Sequence, residues 1–172
     1  MDVSQLCDIE EIKQLKARYF RLVDEKKWDE WADVFTEDFN AWFADVPDER
    51  LESRDAFVEF IRRAIGASVS IHHGHMPEIE ITGPDTARGV WAMYDRLKYV
   101  NPDGSVLDVD GYGHYHEEYR RCADGRWRIS RLRLTRLMGM VEQLEERFQR
   151  EGVVPPVPES RREPGQDELT RK

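Results

Sequence analysis

Val69-Ser70-Ile71-His72-His73-Gly74-His75-Met76-Pro77-Glu78-Ile79-Glu80-Ile81, then Gly83-Pro84-Asp85, then Thr86-Ala87-Arg88-Gly89-Val90-Trp91-Ala92-Met93-Tyr94-Asp95-Arg96-Leu97-Lys98-Tyr99-Val100 is the stretch on which the fold turns. Both runs read as long strands, and the Gly-Pro-Asp between them reads as a turn. Asn101-Pro102-Asp103-Gly104 turns the chain again. A third strand is expected from Val106 to Arg121, Ala123-Asp124-Gly125 turns once more, and a last strand runs from Trp127 to about Leu137. Strand following strand through short turns predicts an antiparallel meander. Pro77 is a candidate break in the first of these strands, because proline cannot donate to a sheet ladder.

Upstream the pattern is helical. Ile9, Ile12, Leu15, Tyr19 and Leu22 fall on one face of a helix expected from Asp8 to Asp24, capped by Ser4 or Asp8. Trp28, Trp31, Ala32, Val34 and Phe35 form the apolar face of a shorter second helix. Asn40 to Ala44 is a first strand. Ser53 caps a third helix, Arg54 to Ile65, with Ala56, Phe57, Phe60, Ile61 and Ala64 inward and Gly66 at its end. The class is therefore α+β: a curved antiparallel sheet with helices on one face, forming a cone-shaped pocket. One domain is expected over residues 1–140. Residues 141–172 then form a C-terminal helix, Met140 to Arg150, and a flexible tail with four prolines from Glu151.

Bulk properties narrow the function. The chain has 172 residues, 40% hydrophobic and 35% charged, with net charge −9. An acidic chain disfavours nucleic acid, which wants a basic face. No apolar run is long enough for a membrane span, and the first residues lack a signal peptide's regions. Cys7 and Cys122 fit no metal or redox spacing and read as free thiols in a cytoplasmic protein.

Strand parity locates polar groups on apolar faces. Trp91, Met93, Leu97 and Tyr99 share a parity with Asp95, while Arg88, Tyr94, Arg96 and Lys98 take the other. A carboxylate facing inward needs a partner. Leu132 and Leu134 share a parity with Arg136, which could pair with Asp95 or bind an anionic group. Trp127 and Ile129 break that alternation, which predicts a bulge near Ser130. His72 and His73 are neighbours, so only one can face inward, and parity does not choose. His114 and His116 lie opposite Tyr115 and Tyr119, which suggests the outer face; no third ligand completes a metal site. Asp24 ends the first helix, and Tyr19 stands five residues earlier on its buried stripe.

Ile9-Glu10-Glu11-Ile12-Lys13-Gln14-Leu15-Lys16-Ala17-Arg18-Tyr19-Phe20, then Val23-Asp24 and Trp28 through Phe39, resembles a SnoaL-like member of the nuclear transport factor 2-like superfold. Gly125-Arg126-Trp127-Arg128-Ile129-Ser130 fits the same pattern, and the resemblance spans about residues 5 to 140. The spacing from Tyr19 to Asp24, with His72 in the first long strand, is similar to the branch of scytalone dehydratase, bile acid 7α-dehydratase and lindane dehydrochlorinase. The resemblance implies a catalytic dyad of Asp24 and His72, an active-site tyrosine at Tyr19, an inward carboxylate at Asp95 and a pocket arginine at Arg136. His114 would correspond to scytalone dehydratase's second histidine, against its parity. Trp42, Phe43, Phe57, Trp91 and Met93 would wall the pocket, with Tyr115 a further lining residue.

The activity so implied is a cofactor-independent dehydratase, with no metal, acting on a small apolar hydroxy-carbonyl compound, steroid-like or polycyclic. The alternatives are a ketosteroid-isomerase-like or polyketide-cyclase-like enzyme, or a non-catalytic ligand-binding module. The same branch implies a homo-oligomer, with a trimer favoured over a dimer.

Overall fold

The computed structural model describes residues 2–49 and 51–145, with side chains through Leu137. Three helices, α1 (Val3–Asp24), α2 (Trp28–Ala32) and α3 (Arg54–Ile65), pack on one face of a five-stranded sheet. The strands are β1 (Phe35–Phe43), β2 (Val69–Gly83), β3 (Thr86–Val100), β4 (Ser105–Arg121) and β5 (Trp127–Glu145). Their order is β1-β5-β4-β3-β2. The meander from β2 to β5 is antiparallel as expected. The pairing of β1 with β5 is parallel, so the sheet is mixed. A parallel neighbour needs a long crossover, and everything from α3 to β4 supplies it.

Local chemistry sets the ends of the elements. α1 begins earlier than expected because Asp2 and Gln5 form a reciprocal capping box: the Asp2 carboxylate accepts from the Gln5 amide at 3.0 Å, and Gln5 Oε1 accepts from the Asp2 amide at 3.1 Å. Ser53 caps α3 by accepting from the Ala56 amide. On α3, Phe57 and Ile65 are buried and Phe60 and Ile61 half-buried, while Ala56 and Ala64 face solvent. Pro77 does not break β2. The register shifts between His75 and Glu78, with Met76 at φ 39°, so the strand passes the proline through a bulge. Ser130 is the extra residue of a second bulge, as expected.

The helix expected from Met140 is corrected. Residues up to Glu145 continue β5, paired with β4 from Gly111↔Gly139 to Ser105↔Glu145. The first half of β4 has backbone groups on both edges to satisfy, and β5 satisfies the edge that β3 does not. The rest of the expected helix, and the tail, lie outside the described residues. Among the described residues no helix is long and apolar enough to cross a membrane. Both cysteines are free.

Under the helices lies an aromatic core. Trp31, Phe35, Phe39 and Phe57 are at most 1% exposed, with ring centroids 4.5–5.2 Å apart. This core anchors the helices against the inner face, where the inward residues of β2, β3, β4 and β5 converge.

Candidate active site

Asp24 is the last residue of α1. The chain leaves the helix there through Lys26, whose φ of 59° is left-handed. The Lys26 amide donates to Val23 O and the Lys27 amide to Leu22 O, which close the last turn. The turn sets the Asp24 carboxylate against β2. β2 is an edge strand, so some of its amides have no sheet partner. Asp24 Oδ2 takes one of them, accepting from the His72 amide at 2.8 Å. That contact decides which histidine turns inward. His72 Nδ1 donates to Asp24 Oδ1 at 2.6 Å, and the Ser70 hydroxyl donates to the same oxygen at 2.8 Å. His73 takes the other face, beside His75 and Tyr94.

The His72 side chain is 11% exposed and that of Asp24 24%. With three donors on the carboxylate, the proton of the neutral imidazole sits on Nδ1. That leaves the Nε2 lone pair free, with no partner among the described residues.

Asp95 stands opposite His72 in the β2–β3 register and is 5% exposed. Arg136 Nη1 donates to it at 2.9 Å, and Arg136 Nε donates to Asp45 at 2.7 Å. Burial works against the guanidinium's charge, but the two carboxylates outweigh it and hold its pKa above the usual arginine value. The expected pairing of Asp95 with Arg136 is thus present. Gly111, opposite Asp95 on β4, makes room for it: a Cβ there would lie 2.2 Å from both Arg136 Nη1 and Asp95 Oδ1.

A second buried ion pair was not expected. Lys16 and Glu117 are both fully buried and 2.5 Å apart. The Lys16 ammonium lies 3.8 Å from the centroids of both the Tyr19 and Tyr115 rings. Glu117 Oε2 accepts from the Tyr119 hydroxyl at 2.5 Å, and Tyr119 accepts from Trp91 Nε1 at 2.8 Å. Burial lowers the pKa of Lys16 against the pull of Glu117. Burial, then the neighbouring Tyr115 and the negative charges of Glu117 and Asp95, drive the Tyr19 phenol far above its ordinary range, and Tyr115 rises as well. Both phenols are therefore protonated donors at neutral pH. The signal was present in the sequence: Lys16 interrupts the apolar stripe of α1 between Ile12 and Tyr19, and Glu117 shares the parity of Tyr115 and Tyr119.

Five sequence-predicted residues meet on the inner face: Asp24, His72, Tyr19, Asp95 and Arg136. Trp91, Met93 and Tyr115 join them, with Met93 Sδ 3.7 Å from Arg136 Nη1. Phe57 is wholly buried in the aromatic core, so it supports the wall and presents no surface of its own. Two residues require correction. Trp42 faces outward and stacks under the Arg133 guanidinium at 4.8 Å, because Phe39, Ala41 and Phe43 hold the inward parity of β1. His114 also faces outward, 6.2 Å from His116, because Tyr115 and Glu117 hold the inward parity of β4. A concavity of about 750 Å³ on that outer face, reaching Glu78, Arg88, His116 and Arg133, does not include the dyad. No cluster suited to a metal ion occurs among the described residues.

A family model of SnoaL-like domains matches residues 4–133. The chain belongs to the SnoaL-like family. Its fold agrees with that of solved structures. A scytalone dehydratase candidate from Novosphingobium aromaticivorans superposes with a TM-score of 0.73 at 21% identity, over 84% of this chain and 94% of that one. A hexachlorocyclohexane dehydrochlorinase from Novosphingobium barchaimii gives 0.68 at 17% identity, over 83% and 94%. A protein of unknown function from Mycobacterium tuberculosis gives 0.65 at 26% identity, over 77% and 73%. Two of these three structures bear the names of elimination enzymes.

Proposed function

We propose that this SnoaL-like protein is a cofactor-independent carbon–oxygen lyase that removes water from an apolar, polycyclic hydroxy-carbonyl compound. The observation that carries the reading is the 2.6 Å bond from His72 Nδ1 to Asp24. It leaves Nε2 as a base on an inner face where Trp91, Met93 and Tyr115 are buried. Asp24 fixes the tautomer and stabilises the imidazolium that forms. Nε2 takes a proton from carbon next to, or vinylogous with, the carbonyl. The electron pair moves to form the double bond, and the hydroxyl departs. The imidazolium returns the proton to it as water, so the enzyme ends as it began. Protonated Tyr19 and the Arg136 guanidinium are the donors available for the developing oxyanion. The assembly is proposed to be a homotrimer, which light scattering of the purified protein checks.

The test is incubation with a panel of hydroxy-ketones, including 7-hydroxy-3-keto steroids, followed by conjugated-enone absorbance and by the mass of the dehydrated product. His72→Ala and Asp24→Asn are each expected to reduce turnover by about 10²-fold or more. Dehydration that survives His72→Ala would refute the mechanism. A double-bond shift without loss of water would point to an isomerase.

A further inference from the structure

The dyad is the visible half of a longer chain. Lys26 Nζ lies 2.6 Å from Ser70 Oγ, and Ser70 Oγ lies 2.8 Å from Asp24 Oδ1. An ammonium has donors only and an ionised carboxylate only acceptors. The Ser70 hydroxyl therefore accepts from Lys26 and must direct its own hydrogen to Asp24, so the rotor has one satisfied orientation. Ser70 is 6% exposed, on the inward parity that it shares with His72.

The backbone offers a second, independent observation. Lys26 occupies the left-handed position that closes a helix, where glycine is usual and a lysine is strained. Strain kept at such a point, next to a candidate site, calls for a function that offsets it. Placed there, the lysine stem passes Trp28, with Nζ 5.9 Å from its ring, and the ammonium reaches Ser70. Burial lowers the pKa of Lys26, and the charge of Asp24 opposes that. The other charged groups on this inner face pair among themselves, Asp95 of β3 with Arg136 of β5 and Lys16 of α1 with Glu117 of β4.

We propose that Lys26 and Ser70 are positioning residues of the dyad, forming a relay in which Lys26 fixes Ser70 and Ser70 shares Asp24 Oδ1 with His72 Nδ1. The relay balances the charge of Asp24 in the resting state. It also keeps Oδ1 from binding the Nδ1 proton too tightly. Its effect on turnover rests on the lyase reading, but its effect on the imidazole does not.

Long-range ¹H–¹⁵N spectra of the His72 ring test it without a substrate. The unsubstituted protein is expected to carry its proton on Nδ1. In Ser70→Ala and Lys26→Gly, Oδ1 loses a donor or the cation behind it, and the Nδ1 proton moves downfield. Ser70→Thr, which keeps the hydroxyl, returns it. Lys26→Met, which keeps the stem and the left-handed backbone, is expected to shift the ring signature as Lys26→Gly does, which a merely structural lysine would not do. On any hydroxy-ketone that is turned over, kcat falls with KM unchanged. Ring resonances that coincide with the unsubstituted protein in both variants would overturn the relay and leave the dyad standing. A ring proton on Nε2 in the unsubstituted protein would overturn both.

Discussion

Replacing Lys16 with methionine removes an ammonium that no water reaches. Lys16 and Glu117 are each 0% exposed and meet at 2.5 Å. Once the ammonium is gone, Glu117 keeps the Tyr119 hydroxyl but loses its counter-charge. Breaking a buried ion pair from one side costs about 3–5 kcal/mol, because it strands a charge in a low dielectric. The two ring contacts at 3.8 Å add roughly 1 kcal/mol. Against a domain stability of about 5–15 kcal/mol, that loss is severe. Lys16→Met/Glu117→Leu removes both charges, and the main remaining debt is the Tyr119 hydroxyl, about 1–2 kcal/mol. The double variant should therefore be more stable than Lys16→Met alone. Urea unfolding at neutral pH, with each single variant and the pair in one cycle, reads the coupling directly. A Lys16→Met loss below about 1 kcal/mol, or a double variant equal to the sum of the singles, would refute the buried-pair reasoning.

Gly111→Ala drives a methyl group into the Asp95–Arg136 pair, where both partner atoms would lie 2.2 Å from it. The expected loss is about 3 kcal/mol, read as a lower urea midpoint, together with reduced turnover. Lys26→Met keeps the left-handed backbone but loses the bond to Ser70 and should cost about 1 kcal/mol; calorimetry checks it. Asp33 is held below its ordinary 3.8: burial raises it, but hydrogen bonds from Arg128 and Arg126 outweigh that. Its contribution is therefore complete above pH 3.8 and is lost as pH falls through the folded value. Asp33→Asn should be less stable near pH 6 by under about 1 kcal/mol, as for a screened surface pair, with the difference vanishing in stronger acid.

The sequence made most of the inner face legible because parity is local. Asp95 among Trp91, Met93 and Leu97 needed only a count of two, and so did Arg136 after Leu134. The same count applied to β1 would have turned Trp42 outward, since Phe39, Ala41 and Phe43 share the other parity. The choice between His72 and His73 was not local. It depends on where the end of α1 meets an edge amide, a contact across 48 residues. The parallel pairing of β1 with β5 has no local signature either. The extent of β5 was accessible in principle: a 17-residue β4 between two neighbours implies a β5 longer than the stretch ending near Leu137. Local helical pattern after Met140 gave way to that demand for backbone partners.

Three polar units share the inner face: the dyad with its relay, Asp95–Arg136 and Lys16–Glu117. For a passive container of an apolar ligand these would be poor choices, since well-packed hydrophobic residues in place of a buried ion pair are neutral or stabilising. An elimination has different needs. It develops charge on a carbonyl oxygen and a leaving group at fixed positions, and donors already oriented in a dry site stabilise that charge without reorganising. The Lys16–Glu117 pair holds Tyr19 and Tyr115 by their faces, and Asp45 with Asp95 holds Arg136 by its edges. Each pair thus fixes a donor that the proposed chemistry uses. A Lys16→Met/Glu117→Leu variant that keeps its fold should still bind an apolar ligand and should lose turnover. If it bound and turned over as well as the unsubstituted protein, the buried charges would have no part in the reaction.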